Sequence, residues 1–220
     1  MTRPDAELRV VDDVAAAAVE LFVEAAPRTF VLSGGSTPEA FYRALARAPY
    51  PWSGVECFFG DDRCVPETDE RSNLRMARDA LLDHVAARVY PIDAAACDAA
   101  GYERTLRERF AGATRPWFDL AVYGLGSDGH TASLFPGTPA VQESERLVVR
   151  VPEAGLQPFV PRVTMTAPVL SNAATGAFLV SGAGKREALA RLLAGEPIPA
   201  ALMAPVRLVI LADRDAAGSA

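Results

Sequence analysis

The chain has 220 residues, half of them hydrophobic, which is enough apolar material for one domain with a real core and excludes a disordered or fibrous polypeptide. Its 28 acidic residues outnumber 22 basic ones, and a net charge of −6 argues against a general nucleic-acid surface while leaving room for a local basic pocket. The three cysteines, Cys57, Cys64 and Cys97, are odd in number and lack metal-ligand spacing, so the simple reading is a reducing compartment.

No long apolar run follows Arg3, so neither a signal peptide nor a membrane span is expected, and the chain reads as a cytoplasmic protein. Residues 12–26 are Ala-rich and set Val14, Ala18, Leu21, Phe22 and Ala25 on one helical stripe. "RTFVLSGG" is a short apolar strand ending in glycines. "TPEAFYRALAR" follows as a helix, with Pro38 early, where a missing N–H costs little. "VECFFGDD" is a second strand, and "SNLRMARDALLDHV" is a helix with Leu74, Ala77, Leu81 and Val85 inward. "DAAGYERTLRERF" is a further helix, and "FDLAVYGLG" is a strand apolar enough to be buried on both faces. "ERLVVRV" and "PRVTMTA" are short and β-rich, and "GAFLVSGAG" is an apolar strand. "KREALARLLAG" is a helix closed by Gly195, "VRLVILAD" a last buried strand, and residues 214–220 a flexible tail. Strand–helix alternation predicts a single α/β domain over residues 1–220. It would be a Rossmann-like layered fold, a mostly parallel central sheet flanked by helices, with room for a small subdomain.

Ligands of such sheets collect beyond the carboxyl ends of the strands. Those ends are "SGGSTP", "GDDR", "GLGSDGH" and "SGAGK", and they gather hydroxyl, carboxylate, imidazole and ammonium groups. In the first, Gly34 and Gly35 let backbone approach a ligand, and Ser36 and Thr37 open a helix whose free amides favour an anion. An ordinary capped turn explains that segment about as well. Lys185 opens a helix, where a cation opposes the dipole, so an anionic partner is the reading set against a tolerated surface lysine. Asp61, Asp62 and Arg63 cannot all face one ligand from a regular strand. One carboxylate could serve chemistry while its neighbour caps a turn or pairs with Arg63.

"GLGSDGH" has the G-x-G-x-x-G spacing of a dinucleotide turn. That turn needs a long helix after its third glycine, and Pro136 and Pro139 leave room for only a turn or two. The nucleotide reading therefore loses. His130 is one of only two histidines, the other being His84 on a helix surface. Imidazole titrates near neutrality and suits a general base, and Asp128 could orient it. With no nucleophile elbow and no metal motif, the residues imply an α/β enzyme with an anion pocket and a histidine base. Its ligand would be a small phosphorylated metabolite.

"LSGGSTP", "DDRCVP" with "SNLRMARDALL", "GLGSDGHTASLFPG", "PRVTMTAPVLSNA" and "VSGAGKREAL" occur in this order. Together they resemble the 6-phosphogluconolactonase family, from about Phe30 to Lys185. The resemblance implies hydrolysis of 6-phosphoglucono-δ-lactone to 6-phosphogluconate, the second step of the oxidative pentose phosphate pathway, with no metal or organic cofactor. It implies His130 as the base that activates water, with Asp61 holding sugar hydroxyls or tuning His130, and with backbone N–H groups of the glycine turns facing the oxyanion. Whether Asp61 or Asp128 partners His130 stays open. Gly34, Gly35, Ser36, Thr37, Arg63, Arg162 and Lys185 would bind the substrate and its phosphate, Arg162 having the alternative of a surface arginine at a strand start. Asn73 is a helix cap or a site residue. One departure is "DDR", where the family pattern reads "DER", so Asp62 keeps the charge on a shorter arm. The related glucosamine-6-phosphate deaminases share the D-G-H turn but continue it with an "IAFNEPG"-like run, against "TASLFPG" here. The implied partner is a phosphorylated sugar lactone bound by a monomer or homodimer, with no nucleic acid and no membrane. The rivals are an isomerase/deaminase and a non-catalytic sugar-phosphate sensor.

Overall fold

The computed structural model describes residues 6–218. In chain order its larger elements are β1 (Ala6–Val11), α1 (Val14–Ala25), β2 (Thr29–Leu32), α2 (Ser36–Leu45), β3 (Glu56–Phe59), β4 (Asp61–Arg63), α3 (Asn73–Ala80), β5 (Arg88–Tyr90) and α4 (Ala99–Arg109). Next come β6 (Phe118–Gly124), β7 (Val148–Val151), β8 (Arg162–Met165), α5 (Ala167–Leu170), β9 (Ala173–Val180), α6 (Arg186–Leu193), β10 (Arg207–Asp213) and α7 (Arg214–Ala217).

α1 illustrates how local sequence sets an element. Asp13 accepts from the Ala15 and Ala16 amides at 2.8 and 3.0 Å, and Ala26 turns left-handed just before Pro27. Val14, Ala18, Leu21 and Phe22 are buried as the stripe predicts, while Ala25, the last residue of the stripe, is only half-buried. Burying Leu21 or Phe22 contributes about 1.5–3 kcal/mol each. Phe22 meets Phe30, Tyr50 and Trp52, which anchors the helix over β2.

Seven strands form one sheet in the order β1-β10-β9-β6-β2-β3-β5, every neighbouring pair parallel. The inner strands β2, β6, β9 and β10 are almost wholly buried, which is why their sequences are continuous apolar runs rather than alternating ones. A second sheet, β4-β8-β7, is antiparallel and small, and it supplies the extra layer for which the sequence left room. The run "VECFFGDD" is therefore two strands, not one. At Gly60 the chain changes sheets: its N–H still bonds Leu32 of the central sheet, while its carbonyl takes the amide of Met165 at the end of β8.

Two short strands, β1 and β5, have no counterpart among the expected elements. β1 is a sheet edge with a half-exposed pattern, and β5 is only three residues long, so neither carries a long apolar signature. The expected flexible tail is corrected over 214–217, where Asp213 accepts from the Ala216 amide and caps α7, and Ala216 is buried. Ser219 and Ala220 lie outside the described residues. Among the described residues no helix is long and apolar enough to cross a membrane. Cys64 and Cys97 are bonded to each other and Cys57 is buried, which departs from the reducing reading drawn from the odd count.

From β2 the chain runs outward to β3 and β5, then returns to β6 on the other side of β2 and continues to β9 and β10. The topological switch point thus lies between β2 and β6, and a crevice opens beyond their carboxyl ends.

Candidate active site

The crevice holds a cavity of about 200 Å³. It is lined by the turn after β2, the turn after β6, Asp61 and Arg63 of β4, Arg162 of β8, Asn73 of α3 and Lys185. Gly34, Gly35, Ser36, Thr37 and His130 all contribute to its wall. Of the expected site residues, only Asp128 is missing from the lining, because it stands behind His130.

The turn after β2 feeds α2. Gly35 has a φ of +111°, a region that disfavours any side chain, and it starts the helix with no side-chain cap. Ser36 and Thr37 occupy the first helical positions, so their amides have no acceptor within the helix. Among the described residues the amides of Gly34 and Gly35 also donate to no protein acceptor. Four N–H groups and a helix N-terminus therefore face one mouth, which favours an anion.

The turn after β6 is closed on itself. The Gly126 amide donates to His130 O at 2.8 Å, the Gly129 amide to Gly126 O at 3.0 Å, and the Gly124 amide to Ser33 Oγ at 3.2 Å. These three glycine amides are spent. They cannot serve as the anion donors that the glycine count invited. Gly129 is needed for its φ of +89°, and a Cβ on Gly126 would overlap the imidazole of His130. No helix comes after Gly129, only an isolated bridge between Thr131 and Leu134, so the nucleotide fingerprint fails here as expected.

His130 Nδ1 lies 2.6 Å from Asp128 Oδ1, which also accepts the His130 amide at 3.0 Å. Asp128 rather than Asp61 is thus the partner of His130. A carboxylate can only accept, so Nδ1 carries the proton and the lone pair of the neutral ring sits on Nε2. The ring packs at 4.6 Å between centroids against Phe135, which fixes its other face.

The acidic pair of β4 divides its labour. Asp62 faces away from the cavity and accepts from the amides of Arg63, Asn73 and Leu74 at 2.7, 2.7 and 3.1 Å, which caps α3. Burial pushes its carboxyl up to about 6 despite those three donors. Asp61 turns into the cavity and accepts the Ser133 hydroxyl at 2.6 Å. Asn73 is both a helix residue and a cavity residue. Its Nδ2 donates to the Asp61 carbonyl at 2.9 Å, and its side chain fills the space that a Cβ on Gly34 would need.

Three cations reach the cavity. Arg162 is buried, not the surface arginine that a strand start allowed. Its Nη2 and Nε donate to the Pro158 and Val160 carbonyls, and its guanidinium lies 5.9 Å over the Phe135 ring. Burial lowers its pKa. Arg63 donates Nη1 to Arg71 O, while its buried Nε has no partner among the described residues. Lys185 is the only lysine of the chain and makes no ion pair among the described residues. Burial lowers its pKa and the nearby Asp128 carboxylate pulls it back up. His84 lies exposed in a short turn far from this chemistry, as its helix-surface reading implied. Ser133 and Phe135 are contacts that the sequence reading missed, although both sit inside "TASLFPG".

A family profile described as glucosamine-6-phosphate isomerases/6-phosphogluconolactonase matches residues 2–214. The chain is 43% identical over 180 residues to a 6-phosphogluconolactonase of Synechocystis sp., covering 78% of this chain and 73% of the relative. It is 40% identical over 205 residues to a 6-phosphogluconolactonase of Mycobacterium tuberculosis, covering 85% and 83%. Among solved structures, 6-phosphogluconolactonase from Thermotoga maritima superposes with a TM-score of 0.85 at 28% identity, covering 95% of this chain and 100% of that one.

Proposed function

The chain belongs to the glucosamine-6-phosphate isomerase/6-phosphogluconolactonase family, and from that membership we propose that it hydrolyses 6-phospho-D-glucono-1,5-lactone to 6-phospho-D-gluconate, with His130 as the general base. The observation that carries the mechanism is His130, held by Asp128 at 2.6 Å, in the wall of a cavity that a helix N-terminus and Lys185 also line.

Asp128 keeps the proton on Nδ1, so Nε2 takes a proton from water as the water oxygen attacks C1 of the lactone. The C1–O bond to the new hydroxyl forms and the carbonyl oxygen becomes an oxyanion. Collapse of the tetrahedral species breaks the bond from C1 to the ring oxygen. The protonated His130 returns its proton to that leaving oxygen, giving the open-chain acid. A lactone is an activated ester, so one placed base with amide donors is sufficient chemistry. The glycine amides after β6 are spent, so they are not those donors. Lys185, Arg63 and the α2 N-terminus supply the positive field for the phosphate. Asp61 is acceptor-only and takes hydroxyl donors of the sugar. An ionised sugar phosphate does not cross a membrane unaided, so the reaction takes place in the compartment that holds the substrate.

The test is an assay of freshly made lactone with spontaneous hydrolysis subtracted, run beside an assay for ammonia release from glucosamine 6-phosphate. Accelerated lactone loss without ammonia is expected. Ammonia release would favour the deaminase branch, and binding without turnover would favour a sensor.

A further inference from the structure

Ser133 is wholly buried, and its hydroxyl donates to Asp61 Oδ2 at 2.6 Å across 72 residues of sequence. That length is typical of a hydrogen bond to an ionised acceptor. Asp61 is itself only 5% exposed, so its oxygens rely on protein donors rather than on solvent. The other donor, Asn73 Nδ2, stands 3.3 Å from Asp61 Oδ1 and spends its shorter bond on the Asp61 main chain. Ser133 is therefore the principal side-chain restraint on this carboxylate. It also belongs to the same loop as His130, and its own amide is tied to Thr164 Oγ1 of β8 at 3.3 Å. One hydroxyl thus joins the loop that carries the base to the strand that carries the acceptor.

We infer that Ser133 is a positioning residue: it fixes the Asp61 carboxylate relative to the His130 loop, so that the free lone pairs of Asp61 receive a sugar hydroxyl while C1 sits at the base. This rests on the lactonase reading. A carboxylate free to rotate would still attract the sugar but would hold the ring in several poses, only one of them productive.

The experiment is a double-mutant cycle with Ser133→Ala, Asp61→Asn and the double variant, each measured as kcat/KM on freshly made 6-phosphogluconolactone. Ser133→Ala is expected to lower kcat/KM on the order of 10- to 100-fold, by misplacement of the ring. In the Asp61→Asn background the same substitution is expected to change almost nothing, because the group it acts through is gone. A loss of equal size in both backgrounds overturns the inference, since it means that Ser133 acts independently of Asp61. Wild-type kcat/KM in Ser133→Ala overturns it as well. Should the Ala variant fail to fold, judged by its thermal transition, Ser133→Cys nearly keeps the volume with a much weaker donor and takes its place in the cycle. Cys behaving as wild type then overturns the proposal. A wild-type chain that fails to accelerate lactone loss defeats the function itself, and with it this inference.

Discussion

Two glycine-rich turns sit side by side at the switch point, one after β2 and one after β6, and they do opposite things with their backbones. "SGGSTP" runs straight into α2, a ten-residue helix, and leaves its amides open to an anion. "GLGSDGH" has no helix to run into, so it folds back and consumes the Gly126 and Gly129 amides internally, while the Gly124 amide goes to Ser33 Oγ of the other turn. Its glycines serve space and conformation instead, clearing room for an imidazole and allowing a left-handed turn. The same residue type makes a charge receptor in one turn and a mount for a base in the other. The presence or absence of a helix directly after the glycines decides between the two.

Removing the base is the strongest way to break that contrast. His130→Ala is expected to lower kcat by about 10²–10⁴-fold with KM little changed, read in the lactone assay after subtraction of the spontaneous rate. Near wild-type turnover would leave the turn after β6 without its assigned purpose. Gly126→Ala attacks the same turn through space alone, because the new Cβ must displace the ring. A loss approaching about 100-fold is expected, with the thermal transition only modestly lowered. If activity survives, the imidazole has latitude that the closed turn does not suggest.

The anion side should respond differently. Lys185→Ala is expected to raise KM by roughly 10- to 100-fold while kcat falls less, since a contact to the phosphate acts on substrate and transition state alike. An unchanged KM would remove Lys185 from the anion receptor. The smallest effect concerns stability at Asp62, which caps α3. Its folded pKa of about 6 lies above the ordinary 3.8, so between those values the folded chain holds the proton more tightly than the unfolded one. The contribution of this group is therefore greatest below pH ~4 and is lost as the pH rises through ~6. The stability of wild type relative to Asp62→Asn, from urea unfolding, should fall by roughly 1–3 kcal/mol between pH 4 and 7. A flat difference would mean that the three capping amides outweigh burial.

Much of this was readable in the chain. Apolar runs marked the buried strands, Pro38 marked a helix start, and Pro136 with Pro139 ruled out the nucleotide helix, because each of these is a short-range effect of residues on their neighbours' backbone. The family motifs picked out the residues of the cavity for the same reason, being local strings. Edge strand β1, three-residue β5 and the capped helix α7 escaped, since pairing and burial rather than pattern make them. The roles within the cavity escaped too. That Asp62 caps α3 while Asp61 turns inward, that Arg162 is buried, and that Ser133 reaches Asp61 depend on tertiary contacts, whereas Asp128 holds His130 from two residues away and needs only the closed conformation of their shared turn. Ser33 Oγ accepts the Gly124 amide across 91 residues. By itself the sequence determined the buried strands and most of the helices, and the set of reactive groups. The tertiary structure alone decided which lone pair and which N–H each group has left for a ligand, because hydrogen bonds saturate, and only the packed sheet order determines which are already used.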